Sequence, residues 1–360
     1  MRKQLIATGL ALTALTVGAQ VASAQDSGST YPKTKINGRL YADFSSKENK
    51  DDGNGTKSSD SGVGADVKRF YFSVTHEVDK TWSANFTSDI GDHNGKYDVF
   101  VKKAYLQGRF SDAFTLRLGS ADLPWIPYVE GKYGMRYVEN VLIDEYKFGT
   151  SADWGVHVLG KLADGRVGYQ VSAINGRGYA DPTRSNSVDF EGRIDVEPVK
   201  GLSFAVGGYT GKLGKETATA SPALHTATRT DELVNWTSGA FGIGGSFFQA
   251  KNWKNVTTVA TDKADGYSVW AHFDPAPSIT IFARYDEVKP SKDLEPDQKL
   301  DYYNLGVQKQ FNKVFAGSLV YKYAEGTGGV TATQNGNVGS SVLGAKGKYN
   351  EIGAFVVYNF

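Results

Sequence analysis

Apolar and polar residues alternate with a period of two through most of the 360-residue chain. The alternation is clear over residues 36–44, over residues 279–285 and in the segment that ends at Phe360. Because successive side chains of a strand point to opposite faces, this period predicts strands with one apolar and one polar face. An aromatic residue at the end of such a strand fits the aromatic girdle of a membrane barrel, although a soluble sheet can end in the same way.

The segments that join these strands alternate in length. Short turns occur seven times, at residues 78–81, 111–114, 163–166, 197–200, 238–239, 274–277 and 312–313. Long polar segments occur eight times between them, at residues 45–65, 92–97, 122–151, 176–186, 212–228, 254–264, 289–298 and 326–346. Together they join sixteen antiparallel strands, and a sheet of that size is free of exposed edges only when it closes. Short turns at one end and long loops at the other are typical of outer-membrane barrels, so the predicted fold class is all-β, a transmembrane antiparallel β-barrel of about 16 strands.

The amino-terminal segment differs from the rest of the chain. Arg2 and Lys3 precede a short apolar run, and the small residues Ala22-Ser23-Ala24 follow it. This order is that of a secretory signal peptide, and the apolar run is too short to span a bilayer as a helix. We therefore expect a cleaved signal peptide over residues 1–24 and one outer-membrane barrel domain over residues 25–360, with a retained anchor helix as the alternative.

The composition excludes several kinds of site and partner. The chain has no cysteine, which excludes disulfides and thiolate sites, and its 40 basic and 39 acidic residues give no net charge that would attract nucleic acid. The five histidines are scattered without metal-ligand spacing, and no nucleophile elbow is present. We expect no enzyme activity, no cofactor and no metal site. A barrel enzyme and a calcium site at residues 51–54 are the alternatives.

Residues 115–176 form the most individual part of the sequence. Its motifs are Arg117-Leu118-Gly119, Pro124-Trp125-Ile126-Pro127 with Glu130, Asp153-Trp154-Gly155-Val156, Asp164-Gly165-Arg166 with Tyr169, and Asn175-Gly176. In this order of motifs the segment resembles the porin family that contains the phosphate-selective porins O and P. The resemblance covers about sixty residues closely and the remaining chain only in its pattern of strands and turns.

The resemblance implies a sixteen-stranded trimeric porin in the outer membrane of a Gram-negative bacterium, whose third long loop folds into the barrel and narrows the pore. The sequence of that loop agrees, because residues 122–151 include apolar side chains such as Tyr133, Val138 and Leu142 that need a surface to pack on. The alternative is a loop that folds outward over the rim or onto a neighbouring subunit.

Basic residues fall on the predicted lumen face of the strands that flank this loop. These candidates for the pore wall are Arg39, Arg69, Lys103, Arg109 and Arg117. The loop itself offers a mixture of acidic and basic candidates, Glu130, Lys132, Arg136, Glu139, Asp144 and Glu145. A basic wall that faces a partly acidic loop would set a transverse field across the constriction. The simpler interpretation is that a polar lumen needs charged side chains to stay hydrated.

These features predict a water-filled channel for passive diffusion of ions and small hydrophilic solutes, weakly selective with a mild anion preference. Its expected partners are two further copies of the chain in a homotrimer, outer-membrane lipid and lipopolysaccharide. Phosphate selectivity is not expected, because a phosphate filter needs basic donors with little competing carboxylate, and the acids of the loop match its bases. The alternatives are a phosphate-specific or sugar-specific channel and a non-conducting structural or adhesive barrel.

Overall fold

In the computed structural model of the protein, the described residues are 31–59, 61–93, 96–218 and 222–360. The signal peptide expected over residues 1–24 lies outside them.

Sixteen strands close into an antiparallel barrel, which confirms the predicted fold class. Its first eight strands are β1 (Lys33–Asp51), β2 (Gly62–Glu77), β3 (Trp82–His93), β4 (Lys96–Arg109), β5 (Thr115–Asp122), β6 (Ala152–Leu162), β7 (Val167–Ile174) and β8 (Asp189–Val199). The others are β9 (Leu202–Gly211), β10 (Ala227–Ser238), β11 (Phe241–Lys251), β12 (Lys263–Ala276), β13 (Ile279–Lys289), β14 (Lys299–Gln310), β15 (Phe315–Thr327) and β18 (Lys346–Asn359), while β16 (Val330–Thr333) and β17 (Gly336–Gly339) form a separate hairpin.

The final strand closes the ring by pairing with the first. Leu40 on β1 lies opposite Tyr358 on β18. Beyond the last paired residue, Gly38 and Phe360 exchange two backbone hydrogen bonds of 2.9 and 3.1 Å. The aromatic carboxy-terminal segment is therefore the strand that closes the ring, and the closed barrel has no edge strand.

The connections lie at the predicted places, but the first two long loops are shorter than predicted, and β3 and β4 are separated by only two residues. β1 continues to Asp51 and β2 begins at Gly62, because polar residues there keep the backbone hydrogen-bond ladder of the sheet. The third long connection, called L3 (residues 123–151), carries the helices α1 (Ile126–Tyr133) and α2 (Leu142–Glu145). The eighth, called L8 (residues 328–345), carries the β16–β17 hairpin.

The outer face of the barrel is apolar and bordered by aromatic residues. Val99 and Leu319 are exposed on it by 70% and 72%, respectively. Near the long-loop end, four tyrosines of adjacent strands form a row with ring centroids 4.8–6.4 Å apart: Tyr267, Tyr285, Tyr303 and Tyr323. Near the short-turn end, Phe241 stacks on Phe273 with centroids 4.6 Å apart. An apolar band between two aromatic girdles is the surface of a membrane-spanning barrel. Among the described residues, no helix is both long and apolar enough to cross a membrane.

The hydrophobic core lies inside the barrel, where L3 packs on the wall. Apolar side chains of L3, including Trp125, Ile126 and Leu142, join one buried cluster with wall residues such as Phe248 and Trp270. L3 therefore folds inward, and the alternative of an outward loop is wrong. The same cluster includes Phe355 of β18, an apolar residue on the otherwise polar lumen face of that strand.

Candidate pore constriction

L3 owes its compact form to a few local sequence features. Pro127 lies in the first turn of α1, where its missing N–H breaks no helical hydrogen bond. Gly134 ends the helix in the left-handed region, with a φ of 77°, and its N–H donates to the Glu130 carbonyl at 3.0 Å. The chain then turns back, so that α2 lies beside the wall strands β12 and β13. This places the charged residues of L3 between the packed wall and the open part of the lumen.

Cations of the wall hold the backbone of L3 by hydrogen bonds to its carbonyl oxygens. The pairs are Arg193 with Pro124, Arg229 with Phe148 at 2.5 Å, Arg284 with Asn140 at 2.6 Å, and Lys322 with Val138 at 2.8 Å. These donors come from β8, β10, β13 and β15, so they are spread over half of the barrel wall. Contacts so widely spaced fix the position of the loop along its whole length.

The three arginines among these donors share a second feature, an aspartate two residues further along the same strand. The ion pairs are Arg193–Asp195 at 2.9 Å, Arg229–Asp231 at 2.9 Å and Arg284–Asp286 at 2.5 Å. Residues i and i+2 of a strand share a face, so each aspartate neutralises the arginine that donates a hydrogen bond to the loop. The prediction from sequence missed these residues, although the recurrence of Arg-x-Asp on lumen-facing strands was a signal that could have found them.

The open part of the lumen lies between L3 and a wall formed mainly by β1–β4, and residues of β5, β14, β15 and β18 complete its lining. A cavity of about 830 Å³ opens toward the short-turn end, and one of about 570 Å³ opens toward the long-loop end. Tyr41 of β1 and Arg136 of L3 line both cavities. These two side chains therefore mark the narrow section between the two vestibules.

Positive charge dominates the side chains that line these cavities. Among the described residues, nine basic side chains line one or both: Arg39, Lys47, Lys68, Arg69, Lys102, Lys103, Arg136, Lys147 and Lys313. Four acidic side chains do so: Asp66, Asp122, Glu130 and Glu139. Basic side chains therefore outnumber acidic ones along the open lumen.

Two β-bulges on the wall increase this excess. Where β2 pairs with β1, Tyr41 lies opposite Arg69 and Ala42 opposite Val67, so Lys68 is the extra residue. Where β4 pairs with β3, Lys102 is extra in the same way. At a bulge two consecutive residues can face the same side. Lys68 and Arg69, and likewise Lys102 and Lys103, therefore all face the lumen.

The predicted wall residues lie at different depths in the barrel. Arg39 lines the larger cavity and donates to Asn359 at 2.7 Å. Arg69 pairs with Asp89 at 3.4 Å, and Lys103 pairs with Asp122 at 2.5 Å. These three side chains lie across the lumen from L3.

Two other predicted wall residues lie away from the cavities. Arg117 donates to Gln107 at 2.8 Å and covers the ring of Tyr105. Arg109 lies near the short-turn end, where it pairs with Asp112 at 2.7 Å. Alternation had predicted that both face inward, but it carries no information on their distance from L3.

The predicted charged residues of L3 divide into three groups. Arg136 pairs with Glu130 at 2.6 Å and with Asp144 at 3.4 Å beside the narrow section. Lys132 is directed to the opposite wall, where it donates to Ser203 at 2.7 Å. Glu139 and Glu145 are buried under L8, as described next.

L8 reaches into the barrel and binds L3 through these two carboxylates. The side-chain amide of Asn335 donates to Glu139 at 2.9 Å and to Glu145 at 3.1 Å. Although burial opposes its ionisation, Lys322 holds the pKa of Glu139 down to about 2. Burial, together with the charge of Glu139, raises the pKa of Glu145 to about 8. Glu145 is therefore mainly protonated at neutral pH, which removes the repulsion between the two groups.

Solved structures of outer-membrane channels have a similar architecture. The anion-selective porin of Comamonas acidovorans has a TM-score of 0.64 at 12% identity, over 92% of this chain and 100% of that chain. The outer-membrane channel DcaP of Acinetobacter baumannii has a TM-score of 0.62 at 11% identity, over 94% and 100%. The fold is that of an outer-membrane porin.

A trimer form of OmpT, an outer-membrane protein of Vibrio cholerae, is also similar, with a TM-score of 0.57 at 14% identity, over 91% of this chain and 99% of that chain. No family model matches the sequence, and no curated protein does. The structural likeness supports the porin part of the resemblance found in the sequence, whereas membership of the phosphate-selective family stays a prediction.

Proposed function

We propose that the protein is a porin of the outer membrane that lets ions and small hydrophilic solutes diffuse passively, with weak selectivity in favour of anions. The observation that carries this proposal is the ratio of nine basic to four acidic side chains along the two cavities, counted over the described residues. A fixed excess of one charge raises the local concentration of counter-ions in a narrow aqueous space. The selectivity is weak because several of the cations already have carboxylate partners.

Phosphate specificity fits this lumen less well. A phosphate filter needs several unpaired basic donors at one position. Here Lys103 is paired with Asp122, and Arg136 is paired with Glu130. We therefore limit the resemblance to the phosphate-selective porins to the barrel and its inward loop.

A sugar-specific channel is not favoured either. Such a channel needs a track of accessible aromatic rings along the lumen. Trp125 and Trp270 are only 2% and 4% exposed, because they pack between L3 and the wall. These two indoles are therefore not available to a solute.

We also propose that the protein forms a homotrimer in contact with outer-membrane lipid and lipopolysaccharide. The apolar band and the tyrosine row of the outer face support contact with lipid. The similar OmpT structure in a trimer form supports the oligomeric state.

Conductance of the purified full-length protein in a planar bilayer tests the porin proposal against a non-conducting barrel. We expect stepwise conductance in potassium chloride. We also expect inorganic phosphate to carry current without blocking the pore. An absence of conductance steps would support the structural or adhesive alternative, and block by low concentrations of phosphate would support the phosphate-specific one.

A further inference from the structure

Lys102 differs from the other cations of the lumen in its surroundings. The β4 bulge turns it inward, and it lines the larger cavity although its residue is only 8% exposed. Its Nζ lies 4.5 Å from the ring centroid of Tyr71 and 5.4 Å from that of Tyr179. An ammonium group between two aromatic faces has lost most of its water, which makes it a stronger partner for an anion.

Lys102 has no carboxylate of its own. Within the described residues, no carboxylate oxygen lies within 4.0 Å of its Nζ, and its one side-chain hydrogen bond is to the Tyr71 hydroxyl at 3.3 Å. A nearly buried cation that forms no direct ion pair is costly. An anion that enters from the cavity would remove that cost.

The neighbouring carboxylates are already bound to other groups. Asp89 pairs with Arg69 at 3.4 Å and accepts from the Tyr179 hydroxyl at 3.1 Å. Asp122 and Glu130 belong to Lys103 and Arg136, with separations of 2.5 and 2.6 Å. None of these carboxylates forms an ion pair with Lys102, so its ammonium keeps hydrogen-bond donors for a solute in the cavity.

We propose that the ammonium of Lys102 is a binding site for one small monovalent anion, chloride or a short carboxylate, within the pore. The Tyr71 hydroxyl accepts from Lys102, so its own proton can be donated to the same anion. One ammonium and one hydroxyl suit a single negative charge, whereas a phosphate dianion needs more donors. The site rests on the proposed function, because it gives the anion preference a location.

The test is the dependence of single-channel conductance on chloride activity, measured with the full-length protein in planar bilayers. A site on the conduction path makes the conductance saturate. In Lys102→Met, which keeps the length of the side chain and can pack on the same rings, we expect the half-saturating activity to rise about fivefold or more. In Tyr71→Phe, which removes the hydroxyl alone, we expect a rise of about twofold to tenfold. Acetate is expected to compete with chloride in the wild-type protein.

Lys103→Met is the matched control, because it removes the same formal charge one residue away. We expect it to change the ion selectivity but to leave the half-saturating chloride activity within about twofold of the wild type, because Lys103 is already paired with Asp122. Equal shifts in both variants would overturn the site, because general lumen charge would then explain them.

The failure of the site and the failure of the proposed function look different. If the wild-type channel conducts and prefers anions, but its conductance rises linearly with chloride activity, the site is wrong and the function stands. If the protein does not conduct, or prefers cations, both are wrong.

Discussion

Arg136 is the residue through which the charge of L3 acts on the pore. It lines both cavities and is bound to Glu130 and Asp144, so its guanidinium faces the narrow section while two carboxylates lie behind it. When all three groups are ionised the arginine offsets one of the two negative charges, so it lowers the repulsion that a permeating anion meets at the narrow section.

Replacing Arg136 by glutamine should therefore weaken anion preference. The anion-to-cation permeability ratio is expected to fall roughly twofold to fivefold, because a unit charge a few ångströms from an ion in a water-like medium contributes about 1 kcal/mol. Reversal potentials under a salt gradient measure this ratio. Arg117→Gln is the control, since Arg117 lies away from both cavities. An equal loss in the control would contradict the assignment of the narrow section.

The residue scale also shows where prediction from sequence ends. Strict alternation assigns Arg69 and Lys103 to the lumen face, and both line the cavities, but it directs Lys68 and Lys102 toward lipid. The reason is the two bulges, which depend on backbone pairing between strands and leave no periodic signal in the sequence. The missed residues supply two of the lumen cations.

L3 is the element that narrows the lumen of the barrel. The arginines of the three Arg-x-Asp ion pairs hold it in place by hydrogen bonds to its carbonyl oxygens. Arg284 is buried, donates to the Asn140 carbonyl of L3 and pairs with Asp286. A buried ion pair costs desolvation energy, so its value lies in holding the loop at one position.

Removing one of these arginines should free part of L3 from the wall. Arg284→Met leaves Asp286 buried and uncompensated, which is expected to cost about 3–5 kcal/mol of stability. We expect a lower thermal midpoint, with larger and noisier single-channel conductance. The double variant Arg284→Met with Asp286→Leu removes both charges and should recover much of the lost stability, although not the contact with L3. A double variant as unstable as the single one would contradict this interpretation.

The contact between L8 and L3 should depend on pH. The pKa of Glu145 is raised to about 8 from its ordinary value of 4.5. The contribution of the protonated group is therefore fully present below the ordinary value and is lost as pH rises through about 8. Above that pH two adjacent carboxylates, Glu139 and Glu145, repel each other under the L8 hairpin.

We expect fluctuations of single-channel current to become more frequent as pH rises through about 8, because L8 then leaves L3 more often. Recordings at neutral and alkaline pH measure this change. Glu145→Gln keeps the hydrogen-bonding shape without the ionisation, so it should remove the pH dependence. Fluctuations that increase equally in Glu145→Gln would exclude Glu145 as the cause.

At the scale of the whole molecule, the lumen is divided lengthwise into a packed half and an open half. The apolar side of L3 covers the wall of β9–β15 and of β18, whereas the cavities are bordered mainly by β1–β4, with further residues of β14, β15 and β18. This division explains why Phe355, an apolar residue of β18, faces the lumen: it lies on the packed side. Its ring is fully buried, with the Lys322 ammonium 4.4 Å from its centroid. The apolar residue on a polar face is a packing site for L3.

The barrel could be predicted because its signals are local, in the alternation within strands and the lengths of the connections. The strand at residues 36–44 and the aromatic carboxy-terminal strand followed from the same pattern. The position of L3 against its wall could not be predicted, because pairs such as Lys322 with Val138 join residues far apart in sequence. The motif at residues 117–130 indicated an inward loop but did not indicate which wall receives it.

The most direct test of the central claim is the zero-current potential of wild-type channels across a tenfold gradient of potassium chloride at neutral pH. An excess of cations along the open half of the lumen predicts a potential displaced toward the chloride equilibrium potential, without reaching it. The displacement should shrink at high ionic strength, where the fixed charges are screened. A potential displaced toward the potassium equilibrium potential would contradict the account.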